Sequence, residues 1–153
     1  MHHDTALRTM ADHAIAYGQT GLCAGTTVLT LDGEMPVEHL SPGDRIVTRD
    51  SGMAVLVGVS CVEVEVAPIR IAAGSLGHTR PDRDMLLPPG TRIHIRDWRA
   101  EALFGTATAT VPAHRLADGE FVAQQPARNM HLYTLAFDRA HIVYADGLEV
   151  ATN

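Results

Sequence analysis

Two thiols and nine imidazoles are the side chains in this 153-residue sequence best suited to nucleophilic and proton-transfer work near neutral pH. All 12 basic residues are arginine. A chain without lysine forms no Schiff base, has no P-loop lysine and builds no Ser–Lys dyad. Cys23 and Cys61 are the only cysteines, which gives neither a disulfide framework nor a C-x-x-C motif. Cys61 alternates with Val59 and Glu63 and reads as structural, and Cys23 has a plain reading as a small apolar residue. The nine histidines contain no H-x-H or H-x-x-x-H pair, so no metal site and no cofactor is expected. Arg80, Arg83, Arg92, Arg96 and Arg99 cluster in sequence and are expected to form a solvated face.

These residues need a scaffold, and the composition predicts an ordinary globular one. Hydrophobic residues make up 46% and charged residues 20%, enough for a single core. The net charge of -6 argues against nucleic acid or an anionic membrane as the main partner. No apolar run approaches the roughly 18 to 20 residues that span a bilayer. Met1-His2-His3-Asp4 lacks a basic and then apolar leader, so a cytoplasmic location is the default expectation.

Residues 4–17 carry the one good helical pattern, with Leu7, Met10, Ala11, Ala14 and Ile15 on one face. From residue 25 the pattern is β. Strands are expected at Thr26–Leu31, Asp44–Arg49, Ala54–Val66, Ile69–Ala72, Arg92–Arg96, Ala107–Val111, His131–Phe137 and His141–Ala145. Turn pairs such as Asp32-Gly33, Pro42-Gly43, Ser51-Gly52 and Asp146-Gly147 separate them. Pro36–Leu40 and Trp98–Leu103 read as single helical turns, and Gly58 as a bend in a long strand. The expectation is an all-β domain over residues 20–153, preceded by a short helical segment over residues 1–19.

One stretch is more specific. Gly25-Thr26-Thr27-Val28, the Asp32-Gly33 turn, Pro36-Val37-Glu38-His39-Leu40 and Gly43-Asp44-Arg45-Ile46-Val47 follow one another in order. This series resembles the opening of Hint (Hedgehog/intein) domains, most closely the bacterial Hint-domain group. Pro68–Gly77 with Arg83–Leu87, Val111-Pro112-Ala113-His114-Arg115-Leu116, and Phe137–Leu148 resemble the later blocks of that group. The resemblance covers roughly residues 20 to 150. It implies the Hint fold, a curled all-β disc with pseudo-twofold-related strands.

It also implies chemistry. Hint domains cut their own backbone: a first Cys or Ser attacks the preceding carbonyl and exchanges an amide for a (thio)ester. A histidine three residues after a Thr protonates the displaced nitrogen, and an Asp or His in the closing block assists. This sequence departs at each point. The nucleophile stands four residues before the Gly of G-T, and Gly21 is there. Cys23 is two residues later, a shift of about 6–7 Å along an extended chain. The ungapped register puts Thr91 at the histidine position, while the literal T-x-x-H, Thr91-Arg92-Ile93-His94, needs a three-residue shift. Asp138 and His141 are present in the closing block, with Ala140 where the group often has His.

The candidate catalytic set is therefore Cys23, Thr91, His94, Asp138 and His141. Splicing is not expected, because Thr152 stands where a His precedes the terminal Asn, here Asn153. Sterol transfer, the Hedgehog outcome, lacks its extra region. The leading expectation is a degenerate Hint domain with weak or no self-cleavage, acting as a structural or binding module. The alternative is an active one: Cys23 attacks the Leu22 carbonyl in an N-to-S acyl shift, His94 or His141 supplies the proton, and Asp138 assists. Its substrate would be the chain's own N-terminal segment. A third expectation, a small-molecule or metal-binding protein on an unrelated β-barrel, needs a pocket lined by Arg92, His94 and Arg96 and no cleft near Cys23.

Overall fold

Period-2 alternation decides which residues enter the core. In Thr27–Thr30, Val28 and Thr30 are buried and Thr27 and Leu29 are less so. In Arg92–Ile95, Ile93 and Ile95 are buried while His94 is half-buried and Arg92 exposed. The computed structural model describes residues 18–152. The helix expected over residues 4–17 and Asn153 lie outside the described residues.

Among the described residues fourteen strands run in chain order: β1 (Leu22–Cys23), β2 (Thr27–Thr30), β3 (Gly33–Pro36), β4 (Arg45–Thr48), β5 (Gly52–Val55), β6 (Gly58–Val66), β7 (Ile69–Ile71), β8 (Met85–Leu87), β9 (Arg92–Ile95), β10 (Ala109–Pro112), β11 (Val122–Gln124), β12 (Arg128–Ala136), β13 (Ile142–Ala145) and β14 (Leu148–Ala151). One helix, α1 (Trp98–Phe104), lies between β9 and β10. Asp97 caps it, accepting from the Arg99 backbone N–H at 3.0 Å. No helix among the described residues is long and apolar enough to cross a membrane.

All pairings are antiparallel and form three sheets. The eight-stranded sheet has the order β10-β9-β14-β13-β2-β4-β5, with β3 paired to β2. The others are β1-β12-β6 and β11-β7-β8. Ala54–Val66 is not one strand. The Leu56 N–H donates to the Asp44 carbonyl and the Val57 N–H to the Ala136 carbonyl. The chain thus leaves β4 and joins β12 within two residues, so it turns a corner between sheets ahead of Gly58.

The core gathers Val28, Ile46, Leu56, Ile69, Ile71, Leu87, Ile93 and Val143, each 0–1% exposed. Cys23, Val66 and Leu132 form a small separate cluster under Val64, Leu86 and Met130. Two ends of the domain meet beside the main core: residues 20–22 and residues 150–152 line one cleft.

Candidate functional site

That cleft encloses about 300 Å³, in the range of a small-molecule site. Its walls come from Thr20, Gly21 and Leu22, from Thr91 ahead of β9, from β12 at Tyr133–Leu135, and from the end of β14. The chain enters pinned, because the Gly90 N–H donates to the Gln19 carbonyl at 2.8 Å. Leu22 then pairs with Tyr133 and Cys23 with Leu132 on β12.

Gly21 sits at the centre. Its φ is +112°, a conformation that side-chain-bearing residues avoid. A Cβ built there would lie 2.8 Å from the Tyr133 carbonyl oxygen. The Thr91 hydroxyl donates to the Gly21 carbonyl at 2.8 Å. Thr91 is 3% exposed, so this bond holds a buried hydroxyl against the incoming chain. Gly21 and Thr91, the two positions the resemblance assigns to nucleophile and proton donor, are thus in contact.

Cys23 faces elsewhere. It is 3% exposed and packs with Val66 and Leu132. Burial pushes its thiol up to about 12, with the Arg128 charge pulling weakly the other way. At neutral pH the buried thiol therefore stays protonated. Cys23 lines a different hollow, shared with Arg83, Met130 and Asp146.

His94 lies in neither place. It is half-buried on β9, with Nδ1 3.2 Å from the Thr110 hydroxyl. Burial lowers its pKa; the Glu149 charge opposes this and the Arg49 and Arg96 charges add to it.

His141 and Asp138 meet each other. The buried His141 ring has Nε2 3.3 Å from Asp138 Oδ1 and Nδ1 3.0 Å from Asp50 Oδ2. Ser51 Oγ is 3.3 Å from the same Nδ1, and Phe137 packs edge-on to the ring. The main chain joins in: Asp50 Oδ1 accepts from the Ile142 N–H, and the Thr152 hydroxyl accepts from the His141 N–H. This clasp ties the β4–β5 turn to the loop before β13. The structure therefore separates the five candidates: Thr91 at the cleft with Gly21, Cys23 in the satellite cluster, His94 on β9, and His141 with Asp138 at the clasp.

The clasp sets an acid sensitivity. Burial would raise Asp50, but the bonds from the Ile142 and Asp50 N–H groups and from His141 outweigh it and hold it below its ordinary 3.8. The His141 bond lowers Asp138 as well. A carboxyl whose folded value is depressed contributes stability fully present above the ordinary value and lost as pH falls through the folded one. Melting temperature should therefore fall steeply below about pH 4. His94, also depressed, adds a loss beginning as pH drops below 6.5. Melts of Asp50→Asn across the acid range should show a shallower fall than the parent chain, and an unchanged slope would remove the clasp from the account.

Two groups escaped sequence reasoning. Glu149, 4% exposed, receives three arginines: Arg49 Nε at 2.7 Å, Arg96 Nε at 2.9 Å and Arg80 Nη1 at 3.4 Å. Asp146, also buried, accepts on Oδ1 from the Thr27 N–H and hydroxyl and from Arg83. The expected solvated arginine face is thus partly an ion-pair network. The signal for Glu149 was a lone carboxylate within the apolar run Leu148–Ala151.

The family model for the Hint domain matches residues 20–152. The chain belongs to the Hint-domain family. A comparison of this Hint domain with curated proteins gave no match. Among solved structures it is similar to a bacterial intein-like domain from Clostridium thermocellum, at 14% identity and a TM-score of 0.58, covering 89% of this chain and 100% of that one. It is similar to the TvoVMA intein at 13% identity and a TM-score of 0.58, covering 88% and 98%. A DnaB intein from Synechocystis matches at 8% identity and a TM-score of 0.55, covering 86% and 97%. At these identities the likeness is one of fold. It removes the unrelated barrel: the Hint fold carries this site, and Arg92 lines the cleft while His94 and Arg96 line a separate hollow.

Proposed function

We propose that this Hint domain has lost self-cleavage and serves as a folded structural or binding module. The observation that carries the reading is Gly21. It supplies no side chain to attack the Thr20 carbonyl, and the acyl shift cannot start without a nucleophile. The strained φ and the Tyr133 carbonyl argue that the backbone has closed around that absence. Thr91 offers a hydroxyl, already committed to the Gly21 carbonyl, where the reaction needs an imidazole.

The competing use of Cys23 finds no support in its surroundings. A thiol held up to about 12 is a poor nucleophile. The β1–β12 pairing also holds the Leu22–Cys23 peptide in an extended ladder. Neither His94 nor His141 lines the hollow that Cys23 shares with Arg83 and Met130. The N-terminal segment then remains attached rather than serving as a cleavage substrate.

Intact mass tests this directly. Freshly purified protein should hold its full 16.5 kDa with and without dithiothreitol, and Cys23→Ala should behave identically. Loss of residues 1–22, faster with thiol and abolished by Cys23→Ala, would replace this reading with an active thioester-forming domain.

A further inference from the structure

The arginines around Glu149 are more numerous than the carboxylate requires. Arg49, Arg80 and Arg96 all direct their ion pairs to Glu149, and no other acid pairs with them among the described residues. Asp97, which lines the same hollow, is bound by Arg99. The cluster is thus three guanidiniums against one carboxylate, on a chain whose net charge is -6. The three side chains are 34%, 27% and 31% exposed, so each is partly open to solvent around a buried anchor.

Local structure holds this surplus in place. His78 and Thr79 are consecutive non-glycine residues with φ of 53° and 58°, immediately before Arg80. Non-glycine residues take this left-handed conformation only where their surroundings hold them in it. Arg80 Nη1 is shielded from solvent and has no hydrogen-bond partner; Glu149 Oε2 is within ion-pair distance only. A small hollow of about 20 Å³ lies between His78, Arg80, His94, Arg96, Asp97 and Glu149. That admits a single water-sized group. It shares no lining residue with the cleft at Gly21.

We propose that this face is a binding site for a phosphate-class oxyanion. One terminal oxygen enters the hollow beside Arg80 and Arg96, and the others meet Arg49, the third cation held by Glu149. Planar guanidinium forks suit such an ion, since each can offer two parallel N–H donors. Glu149 sets their spacing without neutralising them. A long polyanion is disfavoured by the acidic remainder of the surface, but a small ion reads only the local charge.

The test uses the whole chain and inorganic phosphate. Melting temperature is followed against phosphate, and against sodium chloride at matched ionic strength. The expected result is a saturable rise with phosphate, about 5–10 °C at a hundredfold excess over Kd, that chloride does not reproduce. Arg80→Gln and Arg49→Gln should each weaken phosphate about 10–100-fold, measured by titration calorimetry on protein shown to be folded. If one variant fails to fold, the other carries the comparison, and the phosphate–chloride contrast on the parent chain stands alone. An equal response to chloride, no response to phosphate, or variants that bind phosphate as the parent does would each overturn the site.

Discussion

Gly21→Ala is expected to cost about 2–4 kcal/mol of stability, read as a lower urea midpoint with an unchanged slope. Two effects add. At φ +112° any Cβ is strained whatever the space. The new methyl would also fall 2.8 Å from the Tyr133 carbonyl oxygen, a backbone atom that cannot swing aside. Relief would require β1 to lift from β12, breaking the Leu22–Tyr133 and Cys23–Leu132 pairs. Gly58→Ala is the control. Its φ is not positive, and the added methyl would meet only the Ala136 Cβ at 3.9 Å. That change should be near neutral or slightly stabilising. The backbone limits function as well: Gly21→Cys with Thr91→His supplies the residue types of the family reaction but not the backbone. It should stay at full-length mass. Cleavage by this double variant would show that only the side chains were lost.

The second large effect is at Glu149. Removing one partner of a buried ion pair costs about 3–5 kcal/mol, because the other charge is left behind. Here three guanidiniums would be left, though each is about a third exposed and so partly screened. Glu149→Gln should therefore lose about 2–4 kcal/mol. The loss should shrink as salt is raised, since much of it is repulsion among the three arginines. Adding Arg96→Gln to Glu149→Gln should recover part of the stability, a sign that simple cavity formation would not give. Denaturant curves of the two variants at low and high salt decide it.

Much of the fold is legible in the sequence, because alternation is a local signal. β2, β4, β9 and β13 lie within their expected spans, short by a residue or so at an end. The segments that escape it are those in which alternation has no room or no meaning. β1 has two residues; β8 and β11 have three each. In β14, Leu148, Glu149 and Val150 are all buried, so no polar face marks the strand. Ala54–Val66 reads as one strand because its residue types continue through the corner, while the change of partner at Leu56 and Val57 is a long-range event. The site divides the same way. Gly21 and Thr91 can be found by counting from Gly25 along the resemblance. Ser51 reads only as a turn residue and nothing local marks Asp50, since His141, their partner, is some ninety residues away. Nothing local ties Glu149 to Arg49, a hundred residues earlier.

The pairing of β1 with β12 also has a meaning in time. Leu132, the partner of Cys23, is made 109 residues after it. At about 5–20 residues per second the ribosome needs roughly 5–20 s to supply that cover. For this interval Cys23 is an ordinary thiol with no Leu132 over it. The sulfur that the finished domain buries is thus at its most accessible on the nascent chain, and oxidants or alkylating agents that reach it then would block the closure of β1 on β12.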